Sequence, residues 1–393
     1  MTSTLSTAAD TTLPHPDSPL TPTLLDAIRD SAATGDETSD LVPSHDLMLD
    51  EGLFHLLVPR ELGGAGGTAT DWFDAGLAVA RADPSAGWIM LQGAAQSAWI
   101  AVSADPSFVS SFFATRRTIA TSSAGQATAE RDGDYYLVRD AHWAYVSGSQ
   151  GASYVGGMVR TTRPDGGPET RMVLVPAAEA TIERSWDPHG LRGTGSHHLH
   201  LGDSLIVPAT HTFTWPVLTI TRPGTLATAA GYVLWMVAVS AAAVNLGAAR
   251  WALEAATASA QTKLHRFDTV PVIRQSPFIR AIAGLEGQVD LAVAGLRRLL
   301  DELWQQASTG EQPTMGQRAR LRLAAAHAVD TGSHVVREAI SLVGADALHR
   351  SHPLERLARD VEMLRNHVVV SPSTREQLGT VLLGTYEGPQ AFV

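Results

Sequence analysis

The sequence predicts a mainly helical protein interrupted by a β-rich middle block, and three observations carry that prediction. Before about Thr115, apolar residues recur at three- and four-residue spacing, as in Leu24-Leu25-Ile28 and Leu77-Val79-Ala80, which is the period of one helix face. Between about Arg116 and Arg222 the chain breaks into short apolar runs punctuated by Gly, Asp and Pro, the texture of strands and turns. From Gly224 the helical period returns in long stretches rich in Ala, Leu, Arg and Glu, as expected of a helical bundle.

Residues 1–20 are rich in Thr, Ser, Pro and Asp, without a basic cluster leading into an apolar run. They read as a disordered tail and not as a secretory signal. The helical domain expected over 21–115 is broken by Leu62-Gly-Gly-Ala-Gly-Gly, and Pro84 and Pro106 sit where a first helical turn accepts proline. In the β domain expected over 116–222, Tyr135–Val138, Tyr154–Val159, Met172–Val175 and Leu199–Val207 read as strands. Arg131-Asp-Gly-Asp and Pro164-Asp-Gly-Gly read as turns between them. The bundle expected over 223–393 has helical stretches at about 224–263, 275–308, 315–346 and 353–370. Leu226–Ala249 carries no charge and is long enough to cross a bilayer. Its Ala-rich content, with polar Thr228, Ser240 and Asn245, and its unbroken continuation through Arg250 and Glu254 predict a buried core or interface helix.

Composition narrows the chemistry. The 393 residues include 29 Lys+Arg, 40 Asp+Glu and no cysteine. Disulfides, thiolate metal sites and cysteine nucleophiles are thereby excluded. A net charge of −11 argues against nucleic acid as a main partner, and a cytoplasmic, non-membrane protein is expected. Neither Gly63–Gly67 nor Gly190-Leu-Arg-Gly-Thr-Gly-Ser has the lysine and order of a phosphate loop. His198 and His200 would share a strand face, but no second ligand group stands at recognisable spacing, so no metal site is expected. No Gly-x-Ser-x-Gly elbow supports a serine hydrolase.

Four segments combine differently: Val58-Pro-Arg-Glu-Leu-Gly-Gly-Ala-Gly-Gly, Trp143-Ala-Tyr-Val-Ser147-Gly-Ser, Trp186-Asp-Pro-His-Gly190-Leu-Arg-Gly-Thr-Gly-Ser196, and Arg356-Leu-Ala-Arg359-Asp360 with His367. In this order they resemble the acyl-CoA dehydrogenase superfamily over nearly the whole chain beyond residue 40. The resemblance implies that family's fold, with the middle block as a β-barrel or sandwich and the last helices as a four-helix bundle. The dehydrogenases commonly place a catalytic glutamate after the Arg-Asp pair, within Tyr-Glu-Gly-Thr. That offset from Arg359-Asp360 falls on Val368, which cannot be a base, and His367 takes the place of the tyrosine. Glu387, in Tyr386-Glu-Gly-Pro, lies too far along the chain to stand in register. Glu254 is the remaining candidate for a glutamate on another helix.

His367 and Ser147 instead resemble the two-component, group D flavin-dependent monooxygenases of this fold. The resemblance implies an oxygenase component that takes reduced FMN or FAD from a separate reductase, together with O2. Through a C4a-hydroperoxyflavin it would hydroxylate or N-oxygenate a small molecule, with a secondary metabolite as the expected class. By the same resemblance, His367 and Ser147 would be catalytic. Trp143, Ser147, Ser122, Ser123 and Arg266 would contact flavin, and Trp88 and Gln96 the substrate. Some family members bind a phenol oxygen with a histidine where this chain has Gln92 and Gln96, which puts a simple phenol in doubt. A homotetramer built on the long C-terminal helices is implied as well.

Overall fold

The first helices are set by their caps. In the computed structural model, which describes residues 20–215, 220–230, 234–264, 269–389 and 393, α1 (Pro22–Thr38) starts where Thr21 Oγ1 accepts the Leu24 N–H at 3.2 Å. The tail expected over 1–20 lies, apart from Leu20, outside the described residues, as does Arg266. After α2 (His45–Asp50) the glycine-rich run forms a tight turn against Val58. Gly63 and Gly66 have φ of 85° and 63°, and a Cβ on Gly64 would lie 2.2 Å from the Val58 carbonyl oxygen. Thr68 and Asp71 form a reciprocal capping box on α3 (Ala69–Ala82). Asp83 both ends α3 and caps α4 (Pro84–Ser103), accepting the Ser85 and Ala86 N–H groups. With no charged residue, α4 is buried on every side. The last helix of this block is α5 (Pro106–Phe113).

Among the described residues, nine strands then form one mixed sheet: β1 (Ile119–Ser122), β2 (Gly125–Asp132), β3 (Tyr135–Val146), β4 (Tyr154–Thr162), β5 (Pro168–Pro176), β6 (Thr181–Glu183), β7 (His197–His200), β8 (Ser204–Pro208) and β9 (Thr212–Thr214). The main path runs β6-β7-β3-β2-β4-β5-β9, with β1 parallel to β4 and β8 beside β3. The run expected as one strand over Leu199–Val207 is two, because β3 divides its partners. Tyr135–Arg139 pair with β8, whereas His142–Val146 pair with β7. Between the two halves Asp140 adopts φ 51°, a left-handed bend that Asp tolerates better than most side chains.

The chain returns to helices with α6 (Thr225–Ala230), α7 (Leu234–Thr262), α8 (Ser276–Ser308), α9 (Met315–Val343), α10 (Pro353–Arg365) and α11 (Pro372–Leu382). The uncharged stretch behaves as a core helix: the most apolar window of α7 is 83% buried within the fold. Asn245 on α7 is fully buried, and its Nδ2 reaches Ser333 Oγ and the Val329 and Val361 carbonyls at 3.0–3.2 Å, joining α7, α9 and α10. The stretch expected as helix to residue 370 instead ends at Arg365. His367 then caps a short 3₁₀ turn over Val368–Val370.

Candidate active site

Ser147 follows directly on the last residue of β3, and its surroundings fix what its hydroxyl can do. The Trp88 indole N–H donates to Ser147 Oγ at 3.0 Å. Ser147 and Ser196 hydroxyls are 2.7 Å apart, as are those of Ser196 and Thr194, and Thr194 Oγ1 donates to the Leu191 carbonyl at 2.9 Å. Each hydroxyl has one proton. Thr194 spends its proton on Leu191, so Ser196 donates to Thr194 and Ser147 donates to Ser196. Ser147 is left with one lone pair and no spare proton.

His367 also packs against Trp88, with ring centroids 5.5 Å apart. Its Nδ1 accepts the Val369 backbone N–H at 3.3 Å, so the proton of the neutral ring sits on Nε2, which has no partner among the described residues. Desolvation lowers its pKa from 6.5 to about 4. His367 is therefore held as a neutral donor.

One and two helical turns beyond Trp88, on the same face of α4, lie Gln92 and Gln96, both more than nine-tenths buried. The structure separates the two. Gln96 Oε1 accepts the Thr121 N–H at 2.9 Å and so anchors β1, whereas Gln92 Nε2 is buried without a hydrogen-bond partner. A donor of this kind costs about 1–3 kcal/mol until something accepts from it. Along α4 it lies between Trp88, which holds Ser147, and Gln96, which holds β1.

The Arg-x-x-Arg-Asp segment of α10 holds these parts in place. Asp360 Oδ1 accepts the Leu191 N–H at 2.6 Å, fixing the loop that supplies Thr194 and Ser196. A Cβ on Gly190 would lie 2.2 Å from the Arg359 carbonyl oxygen, so only glycine lets that loop approach α10 this closely. Arg356 reaches Asp83 at 3.5 Å and Asp360 at 3.9 Å, tying the cap of α4 to the same helix. Burial pushes both carboxyls up, Asp360 to about 7, against the pull of Arg356. Arg359 binds Asp36 through two nitrogens at 2.8 and 3.1 Å.

The other expected contacts divide. Trp143 is fully buried in the β core with its indole N–H donated to the Met158 carbonyl, so it supports β3 and offers no surface to a ligand. Ser122 is buried and spends its hydroxyl on the Ala144 carbonyl at 2.6 Å, shaping the turn after β1, while Ser123 is exposed. Thr194 and Ser196 lie within a motif visible in the sequence, but nothing in their spacing assigns them a role. The pairing of Asp83 with Arg356 is also invisible there, although an Asp before a helical proline is a recognisable cap.

A family model described as acyl-CoA dehydrogenase, C-terminal domain, matches residues 239–372. The chain is 25% identical over 377 residues to indole-3-acetate monooxygenase of Pseudomonas putida, covering 92% of each chain. It is 24% identical over 382 residues to the oxygenase component of an FADH2-dependent resorcinol hydroxylase of Rhizobium sp., covering 91% of this chain and 92% of the other. The structure of XiaF from Streptomyces sp. with FADH2 and glycerol superposes with a TM-score of 0.83 at 21% identity, over 92% and 93% of the two chains. For TdsC from Paenibacillus sp. A11-2 with FMN and indole the values are 0.78 and 20%, over 94% and 97%. Over nearly its whole length the chain is similar to flavin-dependent monooxygenases of the acyl-CoA dehydrogenase fold.

Within that superfamily, the monooxygenase branch agrees with the residues at the dehydrogenase base position. Val368 is 70% exposed and carries no charge. Glu254 pairs with Arg81 and, at 3.6 Å, with Arg29, which commits its carboxylate to a surface network. Glu387 is exposed beyond α11.

Proposed function

We propose that this monooxygenase is the oxygenase component of a two-component system, receiving reduced FMN or FAD from a separate reductase and oxygenating a small aromatic substrate with O2. The observation that carries the reading is the junction of Ser147, Trp88 and His367, with Gln92 one turn away. The donor set fits a reduced flavin: Ser147 has a free acceptor lone pair, and a reduced flavin carries an N–H at N5. When bound, the flavin supplies two electrons, so that one atom of O2 enters the substrate and the other leaves as water.

The chain's own residues have distinct tasks. Ser147 accepts the flavin N5–H, and the exposed hydroxyl of Ser123 is a second polar contact. Trp88 shields the junction and orients Ser147. His367 holds a proton at Nε2 and donates a hydrogen bond to reacting oxygen without adding a fixed positive charge. Gln92 donates from Nε2 to an oxygen substituent of the substrate. The indole and resorcinol chemistry named for the relatives supports an aromatic substrate. Leu291 and Ile279, exposed on α8 at 77% and 52%, are apolar surface that burial in a homotetramer would cover. The reading also places the protein in the cytoplasm, with its reductase.

Mixing the protein with reduced FMN, or with FADH2, and then with oxygenated buffer in a stopped flow tests the reading. A time course of reoxidation that differs from free flavin is expected for at least one cofactor; courses identical to free flavin for both would sink it. Ser147→Ala should weaken reduced-flavin binding about 2–10-fold, the worth of one hydrogen bond, as read by anaerobic titration. Gln92→Leu removes an unpartnered buried donor. It should leave stability unchanged or raise it by about 1 kcal/mol in urea unfolding, while raising substrate KM about tenfold with little change in kcat.

A further inference from the structure

We propose that the outer face of the sheet carries a site for a divalent transition-metal ion of the zinc class, formed by His142, Glu183 and His198. Strand register builds it. His142 on β3 stands opposite His200 on β7, and Glu183 on β6 stands opposite His198 on β7. His198 and His200 share a face because they are two residues apart on one strand. The sequence shows only that pair; pairing brings in Glu183 and His142 from 15 and 56 residues before His198. The sequence alone suggests no metal site because those ligands are neighbours only across strands.

His142 Nε2 and His198 Nδ1 are each 3.8 Å from Glu183 Oε2. All three ligand atoms lie within 4.8 Å of one another. Donors on a tetrahedral zinc are about 3.3–3.5 Å apart, so small side-chain rotations close the site. Two imidazoles and a carboxylate suit zinc, nickel or copper better than magnesium or calcium. The His142, Glu183 and His198 side chains are 44%, 51% and 29% exposed, which leaves room for entry and a fourth position for water. His200 Nε2 bonds Glu183 Oε2 at 2.7 Å. His200 thus orients the ligand that the ion would use.

The ion would staple β3, β6 and β7 outside the reaction cleft. β3 runs directly into Ser147, and β7 begins directly after Ser196, so the staple fixes the two strands that present the hydroxyl pair. It takes no part in the oxygenation.

Zn2+ titration of the metal-stripped, full-length protein tests this by calorimetry and by competition with a chromogenic chelator. One equivalent should bind with micromolar or tighter affinity, Mg2+ should not bind, and saturating Zn2+ should raise Tm by about 3 °C or more. His142→Ala and Glu183→Gln should each weaken Zn2+ binding at least tenfold while keeping the wild-type circular dichroism spectrum and reduced-flavin affinity. His327→Ala, an exposed histidine on α9, should bind as wild type. Failure of the wild type to take up one equivalent at micromolar Zn2+, or wild-type affinity in both site variants, would overturn the proposal.

Discussion

Replacing His367 by alanine is expected to lower substrate oxygenation by about 10²–10⁴-fold, the usual contribution of a positioned proton donor, while reduced flavin continues to be consumed. The oxygen then appears as hydrogen peroxide. Product yield and peroxide, measured together against flavin consumed, check this. Equal yields for wild type and variant across the pH range would remove His367 from the chemistry. The same residue gives a stability signature. Its folded-state pKa, about 4, lies below the ordinary 6.5, so the unfolded chain binds the proton more readily. The associated stability, up to about 3 kcal/mol, is complete above pH 6.5 and is lost as pH falls toward 4. His367→Leu should flatten that part of the unfolding profile.

Arg356→Leu is expected to destabilise the fold by about 3–5 kcal/mol at pH 7.5, because it leaves Asp83 and Asp360 buried without their cation. Arg356 is 11% exposed in its side chain and both carboxylates are 2% exposed, so water cannot take its place without opening the packing. The pH dependence runs opposite to that of His367. Both carboxyls already titrate above the ordinary 3.8 in the folded state, and removing the cation raises them further. Protonation therefore favours the folded variant, and its deficit against wild type should narrow as pH falls from 8 toward 5.5. Urea unfolding at several pH values measures both. A constant deficit would show that Arg356 acts through packing on Trp251, whose ring centroid lies 5.1 Å away.

The long helices are legible in the sequence because their signals are local: proline at the start of α4, and unbroken periodicity through α8 and α9. The strands are less so. β7 and β8 read as one run when the Gly202-Asp203 break between them is passed over, and the division belongs to β3 and its bend at Asp140. In the site, His367 and Ser147 stand out through resemblance, and the structure places both against Trp88. Trp143 has the right sequence context and the wrong surroundings, since a tryptophan beside a motif looks the same whether it lines a cleft or fills a core. Gln92 and Gln96 are indistinguishable along the sequence, and only the Thr121 N–H separates them. The protonation state of His367 is hidden from the sequence because burial, which pushes its pKa down, is a property of the folded chain.

The hydroxyl relay from Ser147 through Ser196 and Thr194 to Leu191 is polarised one way, every proton pointing away from the cleft. Such a relay recognises the oxidation level of its guest. With a reduced flavin bound as proposed, Ser147 would accept from its N5 proton, and the oxidised form would lack that bond. To greet the oxidised guest as a donor, Ser147 must give up its bond to Ser196. On the proposed function, discrimination of about 2–10-fold would bias traffic between two proteins sharing one carrier, retaining the charged form and returning the spent one.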